Sequence, residues 1–564
     1  MMPSAQFMTA PMSTAPGPAP LPAAFLEALI SPNGQYLVEI AAYKGGEARS
    51  GGLATWTEIP LTTIPKGGGT NVGQVSLRYA DKHWVGDPDD ADHPNLFYEG
   101  RVNVPLTLVR AMPILPEEDR RSRRQFGQIE IANGDGALDP ILQSYAVDGR
   151  RVRVLFGPYM GAYADFRAVL DVLGTGWEGN DSEVRISLRD RGYSLDLPLQ
   201  ETLYAGTGEA EGGADAQGKP KPLLFGRCRN ITPILIDPLN LIYQVHDGEI
   251  HALDAVYDQG LGLQDSLDDV ATYAALVSQA VTPGEFATAK AVGLFKLGGL
   301  PNGLVTADVR GDADPDYIDT LDLICLRILQ DRHGLSSQWI DTGSFAGAAS
   351  IAGEMGIYIS PGETPTTAQV LTRLMQAVAG WWAPGRNSLI RAGRLGAPED
   401  RSANLTLDQY DILDLTPETA PVPRWRQRVG FKPNWTIQRG EDLAGAVTGA
   451  RRQFLAEPFS VFASSDAVTR VRHLQALDPA PLPGLYENEA DAETLADFLL
   501  ELHSPDRRIF TVTVKRIGYQ LDLQKIVHIT WPRYGLQNGQ NFAVVGIEER
   551  ADERGDFVIL RVWG

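Results

Sequence analysis

The first third of the chain is written in short runs of alternating apolar and polar residues. QYLVEIAAY (35–43), TWTEIPLTTI (55–64), GQVSLRYADKHW (73–84), NLFYEGRVNV (95–104) and PLTLVRAMPIL (105–115) are each β-branched or aromatic and bounded by Gly, Pro or Asn. GQIEIAN (127–133), GRRVRVLFG (149–157), FRAVLDVLGTGWEGND (166–181) and SEVRISLRDRG (182–192) continue the pattern. Turn signals separate them every 15–25 residues, which predicts an antiparallel sandwich or barrel. The same text returns from Leu405 in TLDQYDILDL and RQRVGFKPNWTI. It ends in four strand-like segments, RRIFTVTVKRI, KIVHITWPR, NFAVVGIEERAD and DFVILRVWG.

Between the two β blocks the period changes. Residues 314–334 carry apolar side chains at Ile318, Leu321, Ile324, Cys325 and Ile328, a helical spacing closed by Gly334. Residues 364–384 repeat it, with Thr366 or Thr367 as N-cap and Pro384 as the stop. Shorter helices are predicted over 267–280, 491–504 and 137–145. The predicted fold is mainly β with an α/β insert: two β-barrel domains and a helical middle region. The expected divisions are an N-terminal arm (1–27), a first barrel (28–205), a linker and β-rich connecting domain (206–305), a helical α/β insert (306–400) and a second barrel (401–564).

Composition narrows the function. With 564 residues there is room for several cores. The formal charge of −21 disfavours a chain that grips nucleic acid, whose affinity comes from neutralising phosphate. It suits a passage through which DNA slides without sticking. No run approaches the ~18 apolar residues of a membrane span. The first residues, MMPSAQFMTAPMSTAPGPAP, have no basic segment before an apolar one and read as a Pro/Ala-rich arm rather than a signal peptide. Two distant cysteines, Cys228 and Cys325, sit in apolar text and read as buried free thiols.

The eight histidines (83, 93, 246, 251, 333, 473, 503 and 528) form no HExxH pair, and neither a GxSxG elbow nor a phosphate-binding loop is present. His246 and His251 could share a metal, against a plain reading as strand-flanking surface positions. The Gly-rich GTGEAEGG (206–213) is acidic and reads as a loop. Glu249 and Asp254 could be imagined as a glycosidase pair, but a chain with 71 acids makes such pairs by chance. Asp312, Asp314 and Asp316 alternate like half a calcium loop without its Gly and final Glu; capping of the next helix is the simpler reading. Asn133, Asp135 and Asp139 alternate similarly, and a turn explains them more simply. The charge run 115–124 reads as a solvated loop. Trp381, Trp382, Trp425, Trp435, Trp531 and Trp563 could be carbohydrate platforms, with core or interface burial the commoner fate.

The order of several segments resembles the tail hub, or baseplate hub, proteins of tailed bacteriophages and gene transfer agents. FGQIEIANGDGALDPILQSYAVDGRRVRVLFG, KPLLFGRCRNITPILIDPLNLIYQVHDGEIHALDAVYDQG, LMQAVAGWWAPGRNSLIRAGRL, LTLDQYDIL, RQRVGFKPNW and the closing VHITWPRYGLQNGQNFAVVGIEERADERGDFVILRVWG carry the likeness. None is a catalytic motif. The resemblance implies a non-enzymatic virion protein at the tail tip, assembled in the bacterial cytoplasm, with no catalytic residue, cofactor or metal. It implies a homotrimer whose six barrels meet a six-fold tube and whose three-fold end meets spike or fibre proteins. The implied partners are the distal tail or tail tube protein, the tape measure protein, the spike or fibres, and phage DNA passing through the lumen during ejection, with no membrane insertion. The motifs lean toward a long flexible, siphophage tail. The alternatives are a distal-tail or other baseplate ring protein, a hub with cell-wall hydrolase activity, and a calcium-dependent receptor binder.

Overall fold

The computed structural model describes residues 21–31, 34–44, 74–90, 93–265, 267–351, 353–552 and 555–564. Most of the N-terminal arm and the predicted TWTEIPLTTI strand lie outside the described residues. The chain is mainly β, and among the described residues its strands are distributed over six sheets.

The first large sheet runs in the order Trp84–Val85, Phe97–Gly100, Gln74–Ala80, Gly34–Lys44, Arg151–Pro158, Arg167–Gly179, Glu183–Arg189, Gln128–Ala132 and Val102–Val104. The closing sheet runs Leu405–Leu407, Ile526–Ile529, Gln540–Asp552, Gly555–Trp563, Ile509–Val514 and Ile412–Glu418. The four predicted closing segments are all strands here. Alternation orients them: Phe510, Val512 and Val514 point inward opposite Val558, Leu560 and Val562.

The two large sheets share a strand hairpin. Leu106–Ala111 leaves the first sheet after Val104 with only Pro105 between, and pairs antiparallel with Gln540–Asp552 from Ala551↔Leu106 to Gly546↔Ala111. Arg123–Phe126 pairs beside it, and the chain then returns to the first sheet at Gln128. Proline suits the first crossover because it brings no N–H to satisfy. Gly127 makes the second: its N–H donates to the Thr107 carbonyl at 2.9 Å, and a Cβ there would lie 2.5 Å from Thr107 Cβ. Phe126 and Gln128–Ala132, almost contiguous in sequence, therefore belong to two strands in different sheets. One apolar core runs across the junction, from Tyr36, Val38 and Ile129 through Leu106 and Leu108 to Val512, Val544 and Leu560.

The middle region builds two five-stranded sheets, and a second core draws on four of the described helices. Thr367–Ala377 buries Val370, Leu371, Leu374 and Met375, and its start is a capping box between Thr366 and Gln369. Glu489–His503 lays Leu495 and Leu499 on the same core. The predicted 314–334 helix begins only at Leu321, and its last turn, Ile328–Arg332, is a π-helix. The 267–280 helix shrinks to Tyr273–Ser278, capped by Thr272. Trp381 and Trp382 lie in a strand, Gly380–Pro384, because Ala379 at φ +51° ends the preceding helix early. A three-stranded sheet, Ser460–Ser465, Arg426–Phe431 and Leu482–Tyr486, packs under the 489–503 helix.

Candidate functional site: the junction between the two large sheets

Leu106–Ala111 buries alternate residues, and the third inward position is a charge. Arg110 is 3% exposed and meets Asp522 at 2.8 Å. Asp522 also takes Arg391 at 3.0 Å, and Arg391 continues to Asp341 at 3.0 Å. The tip of the 380–394 hairpin is wedged between the two sheets. Arg386 pairs with the fully buried Glu549 of the closing sheet and donates to the Leu521 carbonyl at 2.8 Å. Its own carbonyl accepts from Asp171 N–H of the first sheet at 2.8 Å, and Ser388 donates to the Asp171 carbonyl at 2.6 Å. The junction thus fixes three parts of the chain to one another with directional bonds.

Electrostatics splits the two acids. Burial pushes the Asp522 carboxyl up, but Arg110, Arg386 and Arg391 outweigh it and hold it below the ordinary range. Glu549 is pushed upward by burial, which Arg386 and Arg110 only partly offset. In such a cluster desolvation cancels much of the attraction, so the pairs add little net stability while the loss of one partner is costly.

The other candidates are dispersed and occupied. Asn133 Oδ1 accepts from Leu138 N–H at 2.8 Å, its amide donates to Asp139 at 2.8 Å, and Asp135 pairs with Arg101 at 2.6 Å. Gly136 at φ +70° completes the turn, and the helix that follows is Asp139–Ser144. Asp312, Asp314 and Asp316 neither cap a helix nor face a cation site. The helix N-cap is Thr320, and the loop wraps Arg327 instead: Asp312 takes its guanidinium at 2.5 Å, while the carbonyls of Asp314 and Asp316 accept from it. His246 is not a surface residue. It is fully buried, its Nδ1 accepts from Leu224 N–H at 3.0 Å, and burial with Arg332 and Arg327 lowers its pKa to about 3. His251 instead stacks on Tyr317.

Asp254 is paired with Arg227 at 3.1 Å and Arg310 at 2.9 Å. Both thiols are buried, and burial pushes them up. Trp381, Trp382 and Trp563 are core residues, whereas Trp425 is half-exposed under Arg470. The charge run 115–124 is not simply solvated. Arg120 is 2% exposed and donates to the Leu115, Ala379 and Gly380 carbonyls. Among the described residues no three His, Cys, Asp or Glu side chains gather as a metal site, and no helix is long and apolar enough to cross a membrane.

A short repeat, one copy of which reaches the junction, is invisible to hydrophobic period. GYSLDL (192–197) and GYQLDL (518–523) match at five of six positions. Each follows a strand, Glu183–Arg189 or Ile509–Val514, and opens in a 3-10 turn. Both bury the Gly and the first Leu, and the second copy supplies Asp522. Direct self-comparison of the sequence would have found it.

No family model matches the chain, and no curated protein matches it. Among solved structures it is similar to the 43 kDa tail protein of prophage MuSo2 from Shewanella oneidensis, at 11% identity over 83% of this chain and 95% of that one, TM-score 0.35. It is similar to a tail protein from Neisseria meningitidis MC58, at 12% identity over 82% and 96%, TM-score 0.36. A chain of the native gene transfer agent virion matches at 14% identity over 66% and 91%, TM-score 0.35. These structural neighbours are tail and gene-transfer-particle proteins, and each likeness is partial.

Proposed function

We propose that this chain is a structural hub of a phage-type tail tip, a homotrimer that joins the six-fold tube to three-fold tip components around the DNA channel. The junction carries this reading. Two large β modules in one subunit are fused by an exchanged hairpin, a continuous core and a buried ion cluster. An adaptor that offers two modules per subunit to a ring of six positions must hold them at fixed spacing. One-residue crossovers at Pro105 and Gly127 do that, where a flexible linker would not. The order of hub-like segments supports the same assignment, and the net charge of −21 suits a wall that DNA passes without binding.

The neighbours in this reading are the distal tail or tube protein, the tape measure protein and the spike or fibres, and the location is the virion tail tip. The role is non-enzymatic: Asp254 and Asp312 are held in ion pairs, and His246 is buried with its ring bonded to the Leu224 N–H. Copy number tests it. Three copies per assembled tail, with this chain between tube and tip, is the expected result; six copies in a ring would refute it.

A further inference from the structure

The hairpin of Gly380–Pro384 and Ile390–Arg394 borders a cavity of about 370 Å³. Its charge is opposite to that of the chain. Arg391, Arg394 and Arg401 line it and no described carboxylate does, in a protein of net charge −21. Arg391 is neutralised by Asp341 and Asp522, each at 3.0 Å. Arg394 donates to the Ala348 carbonyl at 3.2 Å and to Ser350 Oγ at 3.1 Å, and Arg401 donates to the Gln524 carbonyl at 3.4 Å. Neither of these two meets a carboxylate among the described residues. Burial lowers the Arg394 pKa to about 10, as expected of a cation taken out of water without a counter-ion.

A buried donor lines the same space. Trp381 is 6% exposed, and its indole N–H has no acceptor among the described residues. Buried polar groups are nearly always paired, so an unpaired one at a cavity wall marks a place for an outside partner. Gly393 faces Trp381 across the hairpin and lets Gln524 approach the indole: a Cβ there would lie 2.4 Å from Gln524 Oε1 and 3.0 Å from the Trp381 ring. Part of the wall is apolar, formed by Leu395, Leu523 and Phe498, over which the Arg394 guanidinium lies at 5.0 Å. A few fixed donors on a partly apolar wall are the composition of a small-ligand site, and the volume falls within the roughly 300–1,000 Å³ of such sites.

We infer that this cavity binds an organic oxyanion, a carboxylate or phosphate group carried on an apolar body, with Arg394 and Arg401 on the oxygens and the Trp381 N–H as a further donor. Guanidinium forks match both groups, and a bound anion supplies the counter-charge that the two arginines lack. Phe498 and Leu395 receive the apolar body. The site does not depend on the hub role.

Isothermal titration calorimetry of the full chain tests it with phenyl phosphate, the peptide acetyl-Phe-Glu-amide, inorganic phosphate and neutral benzyl alcohol. Phenyl phosphate or the peptide is expected to bind at one site per chain, with a Kd on the order of 1 mM or tighter that weakens with added salt. The tighter of the two identifies the source, a phosphorylated small molecule or an acidic protein segment. Inorganic phosphate and benzyl alcohol each carry half of the required chemistry and should bind more weakly. Arg401→Met, at an exposed position, should weaken binding roughly tenfold, and Arg394→Met likewise, with thermal melts checking that each variant folds. No binding of either oxyanion probe, benzyl alcohol or inorganic phosphate binding as tightly as phenyl phosphate, or an affinity unchanged by Arg401→Met would overturn the inference.

Discussion

Asp522 is the most informative residue to perturb, because it serves two arginines at once. Asp522→Asn keeps the shape and removes the charge. Arg110, 3% exposed, then loses its carboxylate at 2.8 Å, and Arg391 loses one at 3.0 Å. Removing one partner of a buried pair costs about 3–5 kcal/mol. Asp522 is 20% exposed, so the lower end, about 3 kcal/mol, applies. The reverse change, Arg110→Met, leaves Asp522 paired with Arg391 and fills the space with an apolar chain, so about 1 kcal/mol is expected. Hydrogen exchange by mass spectrometry, read on Leu106–Ala111 and Gln540–Asp552, reports the opening of this ladder. Each 1.4 kcal/mol is about tenfold in opening, so Asp522→Asn should raise exchange by roughly a hundredfold and Arg110→Met by about fivefold. A rise below threefold for Asp522→Asn, or a larger effect from Arg110→Met, would refute the account of the junction.

Other expectations follow from the same structure. His246 and His503 are buried, with pKa lowered to about 3 by burial and nearby arginines, so the folded rings stay neutral while unfolded ones take up protons below about pH 6.5. Stability should therefore fall on acidification from that point, by on the order of 1.4 kcal/mol per pH unit for each ring; His246→Gln should flatten the melting midpoint between pH 6.5 and 4.5, and parallel curves would contradict it. Gly226→Ala, at φ +66° with its Cβ 1.9 Å from the Met355 carbonyl oxygen, should abolish soluble expression. Gly347→Ala, in a helix with nothing within 4 Å, should instead stabilise by about 0.5–1 kcal/mol in thermal melts. Thr366→Ala removes the capping box and should cost about 1 kcal/mol, read as a lower melting temperature.

Period and turn chemistry made the closing strands legible, because FTVTVKR and FVILRVW alternate strictly and each buries one face. The Thr366 cap and the Asn133–Asp139 turn were legible for the same reason: their bonds are local, within six residues. What stayed hidden is long-range. Nothing in the period of PLTLVRAMPIL says that the strand pairs with residues 546–551, more than four hundred positions away. Its position in another sheet is recorded only in the neighbours Pro105 and Gly127 and in an arginine at an inward site. A charge on an apolar face is a local inconsistency, and such places tend to be where a chain is doing more than packing. Arg110 and Asp312 are of this kind, and they lie where separate sheets or helices meet, as does the neutral, buried His246. The GYSLDL and GYQLDL copies carry the idea further. The short turn recurs after a strand in each β block, but its surroundings differ: Tyr193 and Leu197 are exposed where Tyr519 and Leu523 are buried, and only the second copy places its Asp against the hairpin that the first block donates. Near-identical local text thus ends in two environments, a difference set by what packs against each copy rather than by the six residues themselves.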